Sequence, residues 1–418
     1  MKTIRMVTVM FSALLLPAIG VASPDRTLAF PSAEGAGRFA RGGRGGRPLF
    51  VTNLRDYDPD SEAAIPGSLR AACEAEGARF VIFRVSGTIE LKDNLRIRKP
   101  YLTIAGQTAP GGGICTKNYG VCVDSHDVII RYLRCRPGDL VGKRLAKKGK
   151  SWSTDALSIA SSHDIILDHC SASWGNDEVL SVSGAGITNV TVQWCIISES
   201  LNQSTHHKGP HGYGSLIRCN GTVTFHHNLF AFHRSRCPRP GTYGEGSILF
   251  DFRNNLVWDG KGYTSDDPVR MNFVANYHRG SPFRATDSCT YYATGNVGEF
   301  TGGHERPSPF DTAPVKTTSA KRARKAILES CGATLPRREA ARGALTRRSE
   351  SSASSSARRR ARSDMSPSAL AWMRQASRLI KYCLCPLGAS SPKTSAHRRR
   401  SSLTVISCSA SMRAATPV

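Results

Sequence analysis

Short apolar runs rich in β-branched and aromatic residues punctuate the chain from residue 101 to residue 297, and helical periodicity is scarce before residue 318. The runs are YLTIAG (101–106), DVIIRYLRCR (127–136), DIILDHCSAS (164–173), NVTVQWCIIS (189–198), TVTFHHNLFA (222–231), SILFDFRNNLV (247–257), VRMNFVANY (269–277) and CTYYATGNV (289–297). Gly, Asn, Asp or Ser flanks each of them, so each predicts a strand. The later runs share an Asn just after the apolar centre: Asn228, Asn255, Asn276 and Asn296, at spacings of 27, 21 and 20 residues. One strand centre and one Asn per unit of this length predicts a solenoid, with strands stacked in parallel and inward Asn side chains hydrogen-bonded along the stack as a ladder. A β-sandwich is the alternative. It calls for alternating polar faces and tight hairpins, and hairpin dipeptides such as Asn220-Gly221 are rare here.

The two ends of the chain have other compositions. MKTIRMVTVMFSALLLPAIGVAS opens with Lys2 and Arg5, continues as an apolar run broken by Pro17, and closes on small residues. This pattern predicts a secretory signal peptide over 1–22. The run is short for a membrane span of about 20 residues, so no stable membrane insertion is expected. Residues 339–418 hold 15 Lys+Arg against 3 Asp+Glu, together with 18 Ser, and the strand runs and Asn repeats stop there. That composition is either a disordered basic tail or an out-of-frame reading of GC-rich coding sequence. A folded domain over 23–338 remains between the two.

The net charge of +25 points to a polyanionic partner. For an exported protein that partner is an acidic polysaccharide rather than nucleic acid. GRFARGGRGGR (37–47) resembles a phosphate loop but lacks the GK[ST] ending, and it reads as a flexible turn with solvated arginines. The thirteen cysteines are an odd number. Cys122, Cys135, Cys170 and Cys195 fall inside apolar runs, where a thiol acts as a small hydrophobe. His206, His207 and His211 suggest zinc, but no Cys or carboxylate completes a site at a recognised spacing.

The chemistry concentrates in FHHNLFAFHRSRCPRP (225–240). This stretch resembles the HHN…R-x-P segment of the pectate lyases, polysaccharide lyases built on a parallel β-helix. Further motifs in the same order carry the resemblance: AFPSAEGAGRFARGGRGG (29–46), VTNLRD (51–56), PGSLRAAC (66–73), LTIAGQTAPGGGI (102–114), VIIRYLRCRPGD (128–139), DALSIASSHDIILDHCSASWGNDEVLSV (155–182) and PVKTTSAKRARKAILESCGATLPRR (314–338). The resemblance implies an all-β, right-handed, single-stranded parallel β-helix. It also implies a secreted, monomeric enzyme that cleaves polygalacturonate by β-elimination with the help of calcium.

Carried over residue by residue, the resemblance makes Asp155 and Asp177 calcium ligands. A further carboxylate of the best-known branch falls on Ser181, and Glu178 stands beside Asp177 to compensate. Arg236 falls on the base that removes the C5 proton, Lys208 on the lysine that binds the carboxylate beside the scissile bond, and Arg239 near a second carboxylate-gripping arginine. His226 and His227, adjacent on a strand, point to opposite sides, so at most one faces the groove, and His227 is the one assigned to substrate. Asp168 reads as a buried, hydrogen-bonded support of the coil. A guanidinium holds its proton to above about pH 12, so an arginine base needs cations around it and implies an alkaline optimum. Two other readings stay open: a polygalacturonate hydrolase working with paired carboxylates, and a non-catalytic protein that binds acidic glycans.

Overall fold

The computed structural model describes residues 27–331. The expected leader over 1–22, and the segment from 332 that includes the basic tail, lie outside the described residues. Strands return again and again to three sheets, of eleven, eight and six strands. Each middle coil adds one strand to each sheet. His163–Asp168, Ser171–Ser173 and Leu180–Ser183 are followed by Thr188–Gln193, Ile196–Ser198 and Leu216–Arg218. Every ladder among the described residues is parallel, as the pairs Ile165↔Val190, Ala172↔Ile197 and Ser158↔Ser181 show. The expected parallel β-helix is borne out, and the sandwich is excluded.

Register explains the core. Val81, Ile104, Ile130, Leu167, Val192, Phe225, Phe252 and Phe273 stand one above the next across the eleven-stranded sheet. All of them are buried. The phenylalanines keep ring centroids 5.6 Å apart between Phe252 and Phe273, a spacing that suits offset aromatic packing.

The Asn ladder is present. Asn228 Nδ2 donates to Asn255 Oδ1 (3.0 Å), Asn255 Nδ2 to Asn276 Oδ1 (3.2 Å) and Asn276 Nδ2 to Asn296 Oδ1 (3.2 Å). Thiols extend the same corner upward. Cys195 Sγ faces Leu167 O and Cys170 Sγ faces Ile130 O, just as Asn228 Nδ2 faces Val192 O. These cysteines are buried free thiols, in keeping with the reading of the sequence.

One expectation changes at this corner. Runs that read as single strands are two strands each, folded around one left-handed residue. Tyr132, His169, Trp194, His227, Asn254 and Ala275 all have φ between 52° and 56°. Non-glycine residues rarely adopt this conformation, and here they share it coil after coil. His226 ends the strand Thr222–His226 and His227 makes the corner, so the pair does not alternate along one strand.

The segment GRFARGGRGG makes the expected turns, with Arg41 exposed, but its backbone is not free. It lies across the eleven-stranded sheet, where Gly37 N–H donates to Thr191 Oγ1 (2.8 Å) and Gly43 N–H to Thr103 Oγ1 (2.9 Å). A Cβ on Gly37 would sit 2.1 Å from Ile165 O, and one on Gly43 2.1 Å from Arg79 O. Glycine is required there by close approach of two backbones. Helix Ala320–Ser330 buries Ile327 and Leu328 against Leu229, Leu256 and Trp258 of the eight-stranded sheet. Among the described residues no helix is long and apolar enough to cross a membrane.

Candidate active site

The six-stranded sheet brings the candidate residues together. Asp155 precedes strand Leu157–Ile159, Asp177 and Glu178 precede Leu180–Ser183, and Arg236 precedes Arg239–Gly241. Parallel bridges Glu178↔Tyr213 and Tyr213↔Ser235 continue the register from coil to coil. Side chains more than twenty residues apart in sequence thus stand side by side at one end of these short strands.

Asp155, Asp177 and Glu178 each present an oxygen within 4.8 Å of the others. Glu178 N–H donates to Asp155 Oδ1 (3.0 Å), and the Ser181 hydroxyl donates to Oδ2. Burial and then the charge of Asp177 push the Asp155 carboxyl up to about 7, against the pull of Ser181 and Arg236. Three carboxylates packed this tightly, with one guanidinium among them, form an oxygen-rich set that fits a hard divalent cation. Ser181, where the sequence resemblance called for a further carboxylate, serves this set as a hydrogen-bond donor to Asp155.

Arg236 lies in the same cluster. Its Nη1 pairs with Glu178 Oε1, and its guanidinium stacks 4.3 Å from the centre of the Tyr213 ring. Its buried Nε has no hydrogen-bond partner among the described residues. Glu178 therefore divides itself between the cation set and Arg236.

The other candidates are distributed differently. Arg239 turns toward the next coil, where it donates to Ser265 Oγ (2.6 Å) and Asp267 Oδ2 (3.1 Å). Lys208 is exposed on the loop that closes over Asp177; its backbone N–H donates to His206 Nδ1 (3.1 Å). The structure does not bring His227 to the cluster. It is buried at the corner between the eleven- and eight-stranded sheets, stacked on Trp194 at 4.3 Å, and burial pushes its imidazole down to about 4. Trp194 in turn stacks on His169 of the preceding coil. Asp168 is fully buried. Burial raises its carboxyl, but contacts from His169, Gln193 and Arg131 prevail and hold it below the usual range, so it is the coil support the sequence suggested.

The reading of the sequence missed what three residues do. His206 and His211 do meet a carboxylate: Asp177 lies 2.9 Å from His211 Nε2 and 3.5 Å from His206 Nε2. The N–H of Lys208 on His206 Nδ1 fixes the proton of that ring on Nε2, facing Asp177. The two rings are stacked at 3.9 Å, and with Asp177 they make a second group of side chains that could hold a metal ion. Tyr213, beneath Arg236, is the third. All three lie in a loop without periodicity; the histidines stand out in the sequence as a cluster but without their carboxylate, and only nearness to Lys208 marks Tyr213.

No protein-family model matches the chain. It is 36% identical over 276 residues to the probable pectate lyase C of Aspergillus flavus, covering 64% of this chain and 58% of that protein. It is 37% identical over 278 residues to the probable pectate lyase C of Emericella nidulans, covering 66% and 58%. Among solved structures, Jun a 1, the major allergen from cedar pollen, matches with a TM-score of 0.52 at 19% identity. That match covers 71% of this chain and 92% of that one, and it shows the fold alone. The chain spans about three-fifths of the length of the curated relatives it matches. The fold defines a parallel β-helix protein. Over the matched stretch, the chain is a homologue of the proteins named pectate lyase C.

Proposed function

We propose that the chain is a secreted polysaccharide lyase that cleaves polygalacturonate by β-elimination. Residues 1–22 act as its leader and residues 23–338 form the catalytic domain. One observation carries this reading: the register of the six-stranded sheet sets Arg236 against Asp155, Asp177 and Glu178. A homologue of pectate lyases with a cation-fitting carboxylate set beside an arginine has the parts that β-elimination requires.

Asp155, Asp177 and Glu178 would hold calcium, which would neutralise the uronate carboxylate and make the C5–H bond more acidic. Arg236 leaves Glu178, gives up a guanidinium proton to solvent, and as the neutral guanidine accepts the C5 proton. The electrons of that bond form the C4–C5 double bond, the C4–O bond breaks, and the glycosidic oxygen departs and takes a proton from solvent water. Lys208, on its exposed loop, binds the uronate carboxylate beside the scissile bond. Arg239 contributes a second carboxylate contact by exchanging Asp267 for substrate. His227, sealed in its stack, takes no part.

A second reading has one observation in its favour. A carboxyl raised to about 7, as Asp155 is, is what a glycoside hydrolase uses as its general acid. Replacing Arg236 with Ala separates the readings. A lyase loses turnover by about 10²- to 10⁴-fold and still binds polygalacturonate within a few-fold. A simple binding protein has no turnover to lose, a hydrolase yields new reducing ends without an unsaturated product, and either result rejects the proposal.

A further inference from the structure

We infer that residues 140–153 form a cationic rim that binds uronate units of the polymer beyond the point of cleavage. The inference rests on the polygalacturonate reading above. LVGKRLAKKGKSWS carries Lys143, Arg144, Lys147, Lys148 and Lys150 and no acidic residue. All five cations are exposed. Among the described residues, only Lys143 has an acidic partner, Asp139 at 3.0 Å.

This charge is fixed beside the cluster. Helix Leu140–Ala146 packs so closely on the Lys208 loop that a Cβ on Gly142 would lie 2.0 Å from Thr205 Oγ1 and 2.8 Å from Trp152. Asn176, the neighbour of Asp177, donates to Trp152 O (3.1 Å) and accepts from Thr154 N–H (2.8 Å). The segment then runs directly into Asp155. Both of its margins are therefore stitched to the carboxylate site, and Lys208 adjoins it. On this inference a polyanion held at the carboxylate cluster extends onto this rim. Each uronate offers one carboxylate to one mobile ammonium or guanidinium group, an exposed and salt-screened contact.

The test replaces Arg144, Lys147, Lys148 and Lys150 together with Gln in the otherwise intact chain, sparing every residue assigned to the site. Affinity electrophoresis through gels containing polygalacturonate, neutral galactan or double-stranded DNA reads binding without needing turnover. The parent should be retarded by polygalacturonate alone, and the variant should bind it about tenfold more weakly. KM should rise by the same factor, with kcat unchanged and a shallower dependence on salt. Equal retardation of parent and variant by polygalacturonate overturns the inference. So does a parent retarded by DNA as strongly as by polygalacturonate, which would make the rim a nucleic-acid or unspecific charged face. Retardation that depends on the four cations, without any unsaturated product, keeps the rim and rejects the lyase.

Discussion

The ionisation of Asp155 should control cation binding, and its environment sets the size and sign of the effect. An unpaired aspartate ionises near 3.8, whereas burial and the neighbouring Asp177 place this one at about 7. Only the carboxylate form can ligate a metal. The ionised fraction falls about tenfold between pH 8 and pH 6, so calcium should bind about tenfold more weakly at pH 6, equivalent to ~1.4 kcal/mol. The metal-free fold responds in the opposite sense. With its folded value raised, Asp155 binds a proton more tightly in the native state than in the unfolded chain. Its contribution to stability is fully present below about pH 4 and is lost as pH rises through about 7, by at most ~1.4 kcal/mol per pH unit. Calorimetric calcium titrations at pH 6, 7 and 8 measure the first effect, and thermal midpoints of the metal-free protein measure the second. In Asp155→Asn both pH dependences should flatten and calcium affinity should fall at every pH. Equal affinity at pH 6 and pH 8, or an unchanged slope in Asp155→Asn, would refute the reasoning.

Three further outcomes are expected. Asn255→Ala leaves Phe225 O and Asn228 N–H without the partners now 2.9 and 3.0 Å away, and should lower stability by about 2–4 kcal/mol in denaturant unfolding. Cys195→Ser keeps a small donor facing Leu167 O; it should cost under about 1.5 kcal/mol in the same assay and no activity, since the thiol is a packing group. Arg70→Met strands Asp56, with which Arg70 makes a buried two-pronged pair at 2.8 and 2.9 Å. A loss of about 3–5 kcal/mol is expected, and replacing Asp56 as well should restore part of it.

Much of this architecture was legible because a solenoid repeats its constraints. The spacing of Asn228, Asn255, Asn276 and Asn296 announced both the stack and its ladder. The corner was not legible. Proteins usually mark a left-handed residue with glycine, and here His169, Trp194 and His227 take that conformation because the coils above and below hold them in it. The strands of the six-stranded sheet were missed as well: Leu157–Ile159 and Leu216–Arg218 are three residues long, too short for alternation to show. The site could be anticipated only in part for the same reason. Asp155, Asp177, Glu178 and Arg236 came from motif resemblance, and their convergence follows from register. The clamp of His206 and His211 on Asp177, and the ring of Tyr213 under Arg236, depend on the path of a loop that no periodicity encodes. The direction of Arg239 depends on Ser265 and Asp267 in the next coil, which nothing near Arg239 in the sequence foretells.

Lyase chemistry is the central claim, and one product tests it most directly. The chain is mixed with polygalacturonate, with added calcium or with a chelator, and ultraviolet absorbance of the conjugated uronate is followed alongside new reducing ends. A rise in absorbance that calcium supports and the chelator abolishes is the predicted result. New reducing ends without absorbance, from folded protein, would contradict the account and assign the Asp155 cluster to hydrolysis.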